Sequence, residues 1–515
     1  MATAEGLAGA RAVEAFLLPV QRYLSRRRQG IFLAAAFFFG TLVVYYLTNH
    51  EQTYFRAFVY YADNALLQGR LDIPIAEGLR FNDWAFFNGK YYLVEPILPA
   101  VVLLPGVAVW GIALNQTMAS IVIGSLNASN LQRLVGRLTE KLSARILLSL
   151  LFIFGTNYWW VVINGSTTQF THTLAVLFVF AAVYATLVPR APLLAGLLLG
   201  AAHLCRLPTI LSLPFFVIMF SDQWLPESRA KEASLFRRVD LIPLIKLGLG
   251  VGVFVLVGMV YNYVTLKCNF GLPCSYDKYL TDDPNDQYAQ TIRAGLFDLN
   301  YIPKHFPGMF AGLPIFRDQK PYVIPSWAGL SFWATTPAFV YAFYAGAKGK
   351  VARTVVTVLI ILAVGGIVLS NSKADPSPGG FATLDDSSTG GIKLLPFELN
   401  LPYGLEYWPF GALILCGLYF GLHDKLTLAC WTAVICIGFM LTTYAFSGGW
   451  PQFGDRFALD YYPFLFLLTV RGIGSDLKWH HVLVIGLSIL INLWGVVWIF
   501  KGQTIDPNLI WADWG

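Results

Sequence analysis

The chain has 515 residues, 56% of them hydrophobic and 13% charged, with a formal net charge of +6 and a mean hydropathy of +0.58. A soluble domain carries about 25% charged residues; the deficit excludes one and fits a surface that meets hydrocarbon, where a charge is costly. The positive balance comes from clusters at segment ends (Arg26, Arg27, Arg28; later Arg229, Lys231, Arg237, Arg238) and implies membrane anchoring, with no nucleic-acid partner.

In chain order, the first apolar run, 31–48, lacks a preceding small-residue cleavage site and is read as a retained helix with a cytoplasmic N-terminus. The segment 49–96 is expected outside, as outer loop 1. Within it "YFRAFVYYADNALL" (54–67) predicts an amphipathic interfacial helix. Phe55, Phe58, Ala62, Ala65 and Leu66 form its apolar stripe, Arg56, Tyr60 and Asp63 fall on another face, and Gly69 stops it. Further runs lie at 117–135, 146–163, 170–188, 243–265, 326–346, 352–370, 408–421, 426–446, 456–471 and 482–500. Two stretches are interrupted: 97–114 by Pro99 and Pro105, and 191–220 by His203, Arg206 and Pro208. Both are read as hairpins or broken helices, which are tolerated where protein or a wet cavity surrounds them.

The result is an all-α polytopic membrane protein of about 11 to 13 transmembrane helices, one multispan module over 1–515. Its further outer loops are 266–325 and a flexible 371–407. Basic residues place 133–145, 221–242, Lys348, Lys350, Arg353, Lys425, Arg471 and Lys478 inside, and 164–172 outside. Cys268 and Cys274 bracket an outer loop start and predict a disulfide in an oxidising compartment; Cys205, Cys416, Cys430 and Cys436 read as core residues. No metal spacing appears, and neither a P-loop, a dinucleotide turn, a zinc-protease helix nor a hydrolase elbow is present.

What the chain does carry is acid on the expected outer face: Glu51, Asp63, Asp72, Asp83 and Glu95, beside Lys90. The order of a first span, an interfacial helix ending "LLQGRLDIP", and "FFNGKYYLVEPILPAVVLLP" resembles the GT-C glycosyltransferases, including the aminoarabinose and protein O-mannosyl transferases. "GLFDLNYIPKHFPGMF", "GLSFWATTPAFVYAF" and "GGWPQFGDRFALDYYPFLFLL" resemble a bacterial branch of that superfamily. The resemblance implies a bacterial inner-membrane enzyme with a polyprenyl-phosphate sugar as donor, a glycan, lipid or protein as acceptor, inverting transfer and no separate cofactor. It also implies an outer carboxylate as general base and cations on the leaving phosphate, roles that suit those groups chemically. Where better-known members carry an acidic pair after the first span, this chain has only Glu51; where they carry Lys-Pro-Pro-Leu, it has Glu95-Pro96-Ile97-Leu98.

Asp63 is the leading base, followed by Glu51, with Asp83 and Glu95 behind; Asp72 reads as a turn cap before Pro74. Arg456, at the mouth of a span, is assigned to donor phosphate, against a local pair with Asp455 or Asp460, and is expected to share an outer cavity with Asp63. Arg206 is expected in the interior, as phosphate ligand or as plug for carbonyls at the break. Lys90, His172, Lys304 and His305 complete the substrate candidates, each with a bland solvated or core alternative. The competing function is a transporter or flippase for a lipid-linked sugar, for which the break at 203–208 is the relevant feature and a missing internal repeat counts against.

Overall fold

The computed structural model describes residues 26–73, 84–226, 239–278, 295–316, 320, 322–325, 329–372, 408–445 and 452–505. Asp83, the basic residues of 229–238, most of the loop 371–407 and the side chain of Lys304 lie outside this description.

The elements are α1 (Arg26–Thr48), α2 (Ala57–Asn64), β1 (Trp84–Phe87), β2 (Lys90–Leu93), α3 (Leu98–Trp110), α4 (Gln116–Leu138), α5 (Leu142–Phe154), α6 (Tyr158–Asn164), α7 (Thr167–Leu187), α8 (Pro192–His203) and α9 (Leu213–Met219). There follow α10 (Ile242–Leu266), α11 (Ile302–Ala311), α12 (Phe332–Thr335), α13 (Gly349–Ser372), α14 (Trp408–Gly421), α15 (Lys425–Thr443), α16 (Tyr462–Ile473) and α17 (Trp479–Ile505). Strand content among the described residues is two short antiparallel hairpins; β1 and β2 pair Trp84 with Leu93 across a turn at Asn88 and Gly89, both with positive φ.

Among the described residues, six helices are long and apolar enough to cross a membrane: Gly30–Thr48, Thr167–Leu187, Ile242–Leu266, Gly349–Ile367, Lys425–Thr443 and Trp479–Phe500. The chain is therefore an all-α, multi-pass membrane protein. Five shorter apolar helices accompany them; 191–220 is broken between Pro192–His203 and Leu207–Met219 as expected, whereas 97–114 is a single short helix, Leu98–Ala113, that carries Pro105 inside it and is neither a hairpin nor broken.

Two expected continuous runs are corrected. The run 146–163 is bent by 55° between α5 and α6. Thr156 bridges the break, its hydroxyl donating to the Phe152 carbonyl (2.7 Å) and accepting the Tyr158 N–H (3.2 Å). The run 326–346 is no single helix: α12 is one turn, and Pro337, which lacks an N–H, opens a tight 3₁₀ stretch to Tyr344. Side chains of α17 take the backbone groups so released: Asn492 donates to the Thr335 carbonyl (2.7 Å) and Ser488 accepts the Ala338 N–H (3.1 Å).

The chain divides into two compact units, one of residues 30–134 and 161–296, the other of 1–29, 135–160 and 297–515. In the first unit α7 is the central helix, and the core beside it joins Phe58, Tyr61 and Ala62 of α2 to Phe170, Leu174, Leu204 and Cys205. α1 and α10 are largely uncovered by protein, leaving residues such as Leu249 and Leu256 for hydrocarbon. α8 and α10 touch backbone to backbone through Gly196 and Gly250, where a Cβ on Gly250 would meet the Leu197 nitrogen at 2.5 Å. Cys268 and Cys274 are joined as a disulfide just beyond α10, with Cα atoms 5.8 Å apart. In the second unit α16, almost wholly buried, packs against the 3₁₀ stretch and α15.

Candidate functional site

In the first unit α2 positions the candidate residues. Its start is fixed by Thr167 on α7, which accepts the Ala57 N–H on its hydroxyl (3.0 Å) and donates its own N–H to the Phe55 carbonyl (2.8 Å). Ala57, Phe58, Val59, Tyr61 and Ala62 turn inward, whereas Phe55, expected in the apolar stripe, is exposed. Tyr61 donates to the Leu71 carbonyl (2.7 Å) and lies 2.9 Å from the Tyr261 hydroxyl; burial pushes the Tyr61 hydroxyl far up, so it stays protonated. Gly69, at φ +68, provides the left-handed cap that closes the next turn.

The other face of α2 presents Arg56, Tyr60 and Asp63. Arg56 donates to the Ile112 carbonyl (2.8 Å) and to the Tyr60 hydroxyl (3.2 Å), with its cation 5.0 Å from the Tyr60 ring centre. It does not pair with Asp63. Asp63 is half-buried, and among the described residues its carboxylate takes part in no hydrogen bond or ion pair. A Cβ on Gly111 (φ +55) would lie 3.5 Å from Asp63 Oδ1. Arg56 and Asp63 thus flank one turn, Gly111–Ile112, a cation at one side and an uncommitted carboxylate at the other.

The remaining candidates of this unit separate by partner. Glu51 is exposed. Asp72 is an ion-pair centre, 2.6 Å from Arg70 and 3.3 Å from Lys90, while the turn at Pro74 that it was expected to cap lies outside the described residues; the Arg70 hydrogen bond holds its carboxyl below the usual range, and Lys90 is committed there. Glu95 is buried before α3, with the Tyr276 hydroxyl 3.5 Å away. His172 is fully buried on α7. Arg206 is buried at the break after α8, as expected of a charge in an apolar run. Local groups serve the break's backbone: Thr209 donates both its N–H (3.1 Å) and its hydroxyl (2.9 Å) to the Arg206 carbonyl.

Arg456 belongs to the second unit and Asp63 to the first. Arg456 is half-buried, its N–H donates to Gln452 Oε1 (3.0 Å), and its guanidinium lies 5.1 Å from the Phe457 ring centre. His305 is buried on α11.

The neighbouring Asp455, named from sequence only as a partner for Arg456, is the more unusual group. It is 5% exposed. Its Oδ1 accepts the Phe457 N–H (3.0 Å), and its backbone carbonyl accepts the Asn157 amide (2.7 Å). Oδ2 is buried with no hydrogen-bond partner among the described residues. Burial pushes this carboxyl up to about 7, opposed by the backbone N–H of Phe457, by Arg456 and more weakly by the backbone N–H of Ala458, and assisted by Asp460. The available sequence signal was "GDRFALD", two acids around one arginine before a span; Asn157 was hidden inside a run read as one helix.

Comparison of the chain with protein-family models, with curated proteins and with solved structures finds no match.

Proposed function

We propose that the chain is a membrane glycosyltransferase of GT-C type, moving a sugar from a polyprenyl-phosphate donor to an acceptor hydroxyl on the non-cytoplasmic side. In this reading Asp63 takes the acceptor proton, the acceptor oxygen bonds to the sugar's anomeric carbon with inversion, and the bond to the polyprenyl phosphate breaks. Arg56, whose guanidinium has donors beyond those spent on Ile112 and Tyr60, stabilises the departing phosphate, with Arg206 as a second cation of the same unit. The observation that carries the reading is the half-buried Asp63 carboxylate, uncommitted among the described residues, beside a cation fixed on the same turn. The finer topology, 11 to 13 transmembrane helices with the N-terminus inside a bacterial inner membrane, belongs to the same proposal; α4, the bent pair α5–α6, the 3₁₀ stretch Pro337–Tyr344, α14 and α16 would supply the additional crossings, with 97–114 and the broken 191–220 crossing only in part.

The test uses the purified chain in lipid nanodiscs with labelled polyprenyl-phosphate sugars. Asp63→Asn lowers turnover by roughly 10²–10⁴-fold with donor binding retained, while Arg56→Ala weakens donor binding and transfer together. An Asp63→Asn variant with unchanged turnover removes Asp63 from the role. A lipid-linked sugar that crosses proteoliposomes without transfer would favour the transporter reading, which the broken helix at Arg206 supports.

A further inference from the structure

We propose that Asp455 is a proton-binding site: in the folded chain its carboxyl holds an exchangeable proton on Oδ2, and release of that proton loosens the tie between segments 329–336 and 452–461. The site is independent of the transfer chemistry assigned to α2.

Asp455 stands in the middle of that tie. The Leu330 N–H donates to the Phe453 carbonyl (2.8 Å), and the Asp455 N–H points back to the Leu330 carbonyl (3.4 Å). Gly454 lies against Thr335 and Asn157, so three stretches of chain converge on this one residue. The two carboxyl oxygens have unlike surroundings. Oδ1 is held by a backbone N–H, whereas Oδ2 is buried without a donor among the described residues. An ionised oxygen there is shut off from bulk solvent and accepts no well-formed hydrogen bond from the described residues, whereas a protonated one carries no charge to solvate.

Among the described residues, the charged and titratable groups acting on it are Arg456, Asp460, Tyr461 and Tyr462. From the other stretches packed there, Asn157, Leu330 and Thr335 bring no charge. Asp460, itself buried, adds a like charge and disfavours a second ionised carboxyl. A proton fits better than a metal ion, because it needs one acceptor atom where a hard cation needs several oxygens, and Arg456 repels a second cation.

The experiment records infrared spectra of the full chain in nanodiscs from about pH 5 to about pH 9. The expected result is a protonated-carboxyl band that fades near neutrality in the wild type, is still present but fades at a lower pH in Asp460→Asn, and is lost in Asp455→Asn. Amide exchange at Leu330 and Asp455, corrected for its intrinsic pH dependence, should rise above the midpoint in the wild type only. Isotope labelling of aspartate carboxyls in the unmodified protein covers the case in which Asp455→Asn fails to fold: absence of any protonated aspartate band in that range overturns the proposal. So do a band unchanged in Asp455→Asn, a band suppressed by sodium at constant pH, and amide exchange that ignores the transition.

Discussion

Asn157 and Asp455 meet directly, the amide of the first donating to the backbone carbonyl of the second at 2.7 Å. The contact explains why an apolar run bends where it does. In a straight helix through 146–163 the backbone of Thr156 and Asn157 would be committed to the helix's own ladder. With the bend, Asn157 is turned to a carbonyl that no helix serves, beside Gly454, whose missing side chain leaves room for the Asn157 Cβ.

The raised carboxyl of Asp455 makes stability depend on pH in a defined direction. The folded chain keeps this proton up to about pH 7, whereas an unfolded chain releases it near the ordinary 3.8. Between those values the folded state binds more protons, so stability is full below the unfolded value and falls as pH rises through the folded one. Asp455→Asn, which mimics the neutral form, should match the wild type in acid and melt at a higher temperature above neutrality. Parallel melting profiles across pH for the two proteins would sink this assignment.

Gly196 on α8 sits where any side chain would strike the Leu247 carbonyl of α10. Gly196→Leu should destabilise the protein by about 1–3 kcal/mol through overpacking. Gly252, on the same helix α10 but with open space around it, provides the control, since Gly252→Ala should be neutral or slightly stabilising. Thermal unfolding in detergent reads both, and equal melting temperatures for the two variants would refute the close contact.

Cys268 and Cys274 should resist alkylation in the unreduced, unfolded chain and react after reduction, while Cys205 and Cys430 react in both. Opening so short a loop should cost about 2 kcal/mol by the chain-entropy model. Mass spectrometry decides the pairing. Two alkylated thiols at these positions before reduction would show that no bridge forms.

Sidedness is accessible to labelling because Glu51 and Glu140 are both exposed. In right-side-out vesicles an impermeant thiol reagent should modify Glu51→Cys and spare Glu140→Cys. Modification of both from the same side would overturn the charge-based orientation.

The spans legible in sequence were those where apolarity runs long and nothing interrupts it, such as 170–188 and 243–265, found as α7 and α10. The break after His203 was legible too, because Arg206 and Pro208 are residue types that an unbroken lipid-facing helix rejects. The bend at Gly155–Asn157 was not, since each residue alone is tolerated in a helix and its reason lies 298 positions away at Asp455. The same holds for 326–346: hydropathy counts apolar side chains, whereas Pro337 acts through a missing N–H and the loss is made good by Ser488 and Asn492 of a later helix. On the candidate site, the alignment of Arg56, Tyr60 and Asp63 was a matter of helical spacing. That Arg56 bonds to Ile112 and leaves Asp63 uncommitted among the described residues is tertiary information. Asp455 was overlooked because an aspartate next to an arginine reads as a surface pair until its burial is known.

α10 is 25 residues long, hence about 37 Å from end to end, against a hydrocarbon thickness of about 30 Å. Little of it is covered by protein, so its ends, with Lys246 near one and Asn262 near the other, reach into the headgroup layers or the helix leans away from the bilayer normal. Through the contact of Gly196 and Gly250, α8 leans with it, and α8 ends at the break that holds Arg206. A change in the tilt of α10 would therefore act, through this backbone contact, on the helix that ends at Arg206. A set of bilayers differing only in acyl-chain length would display such a connection as a graded change in amide exchange at the break 204–209.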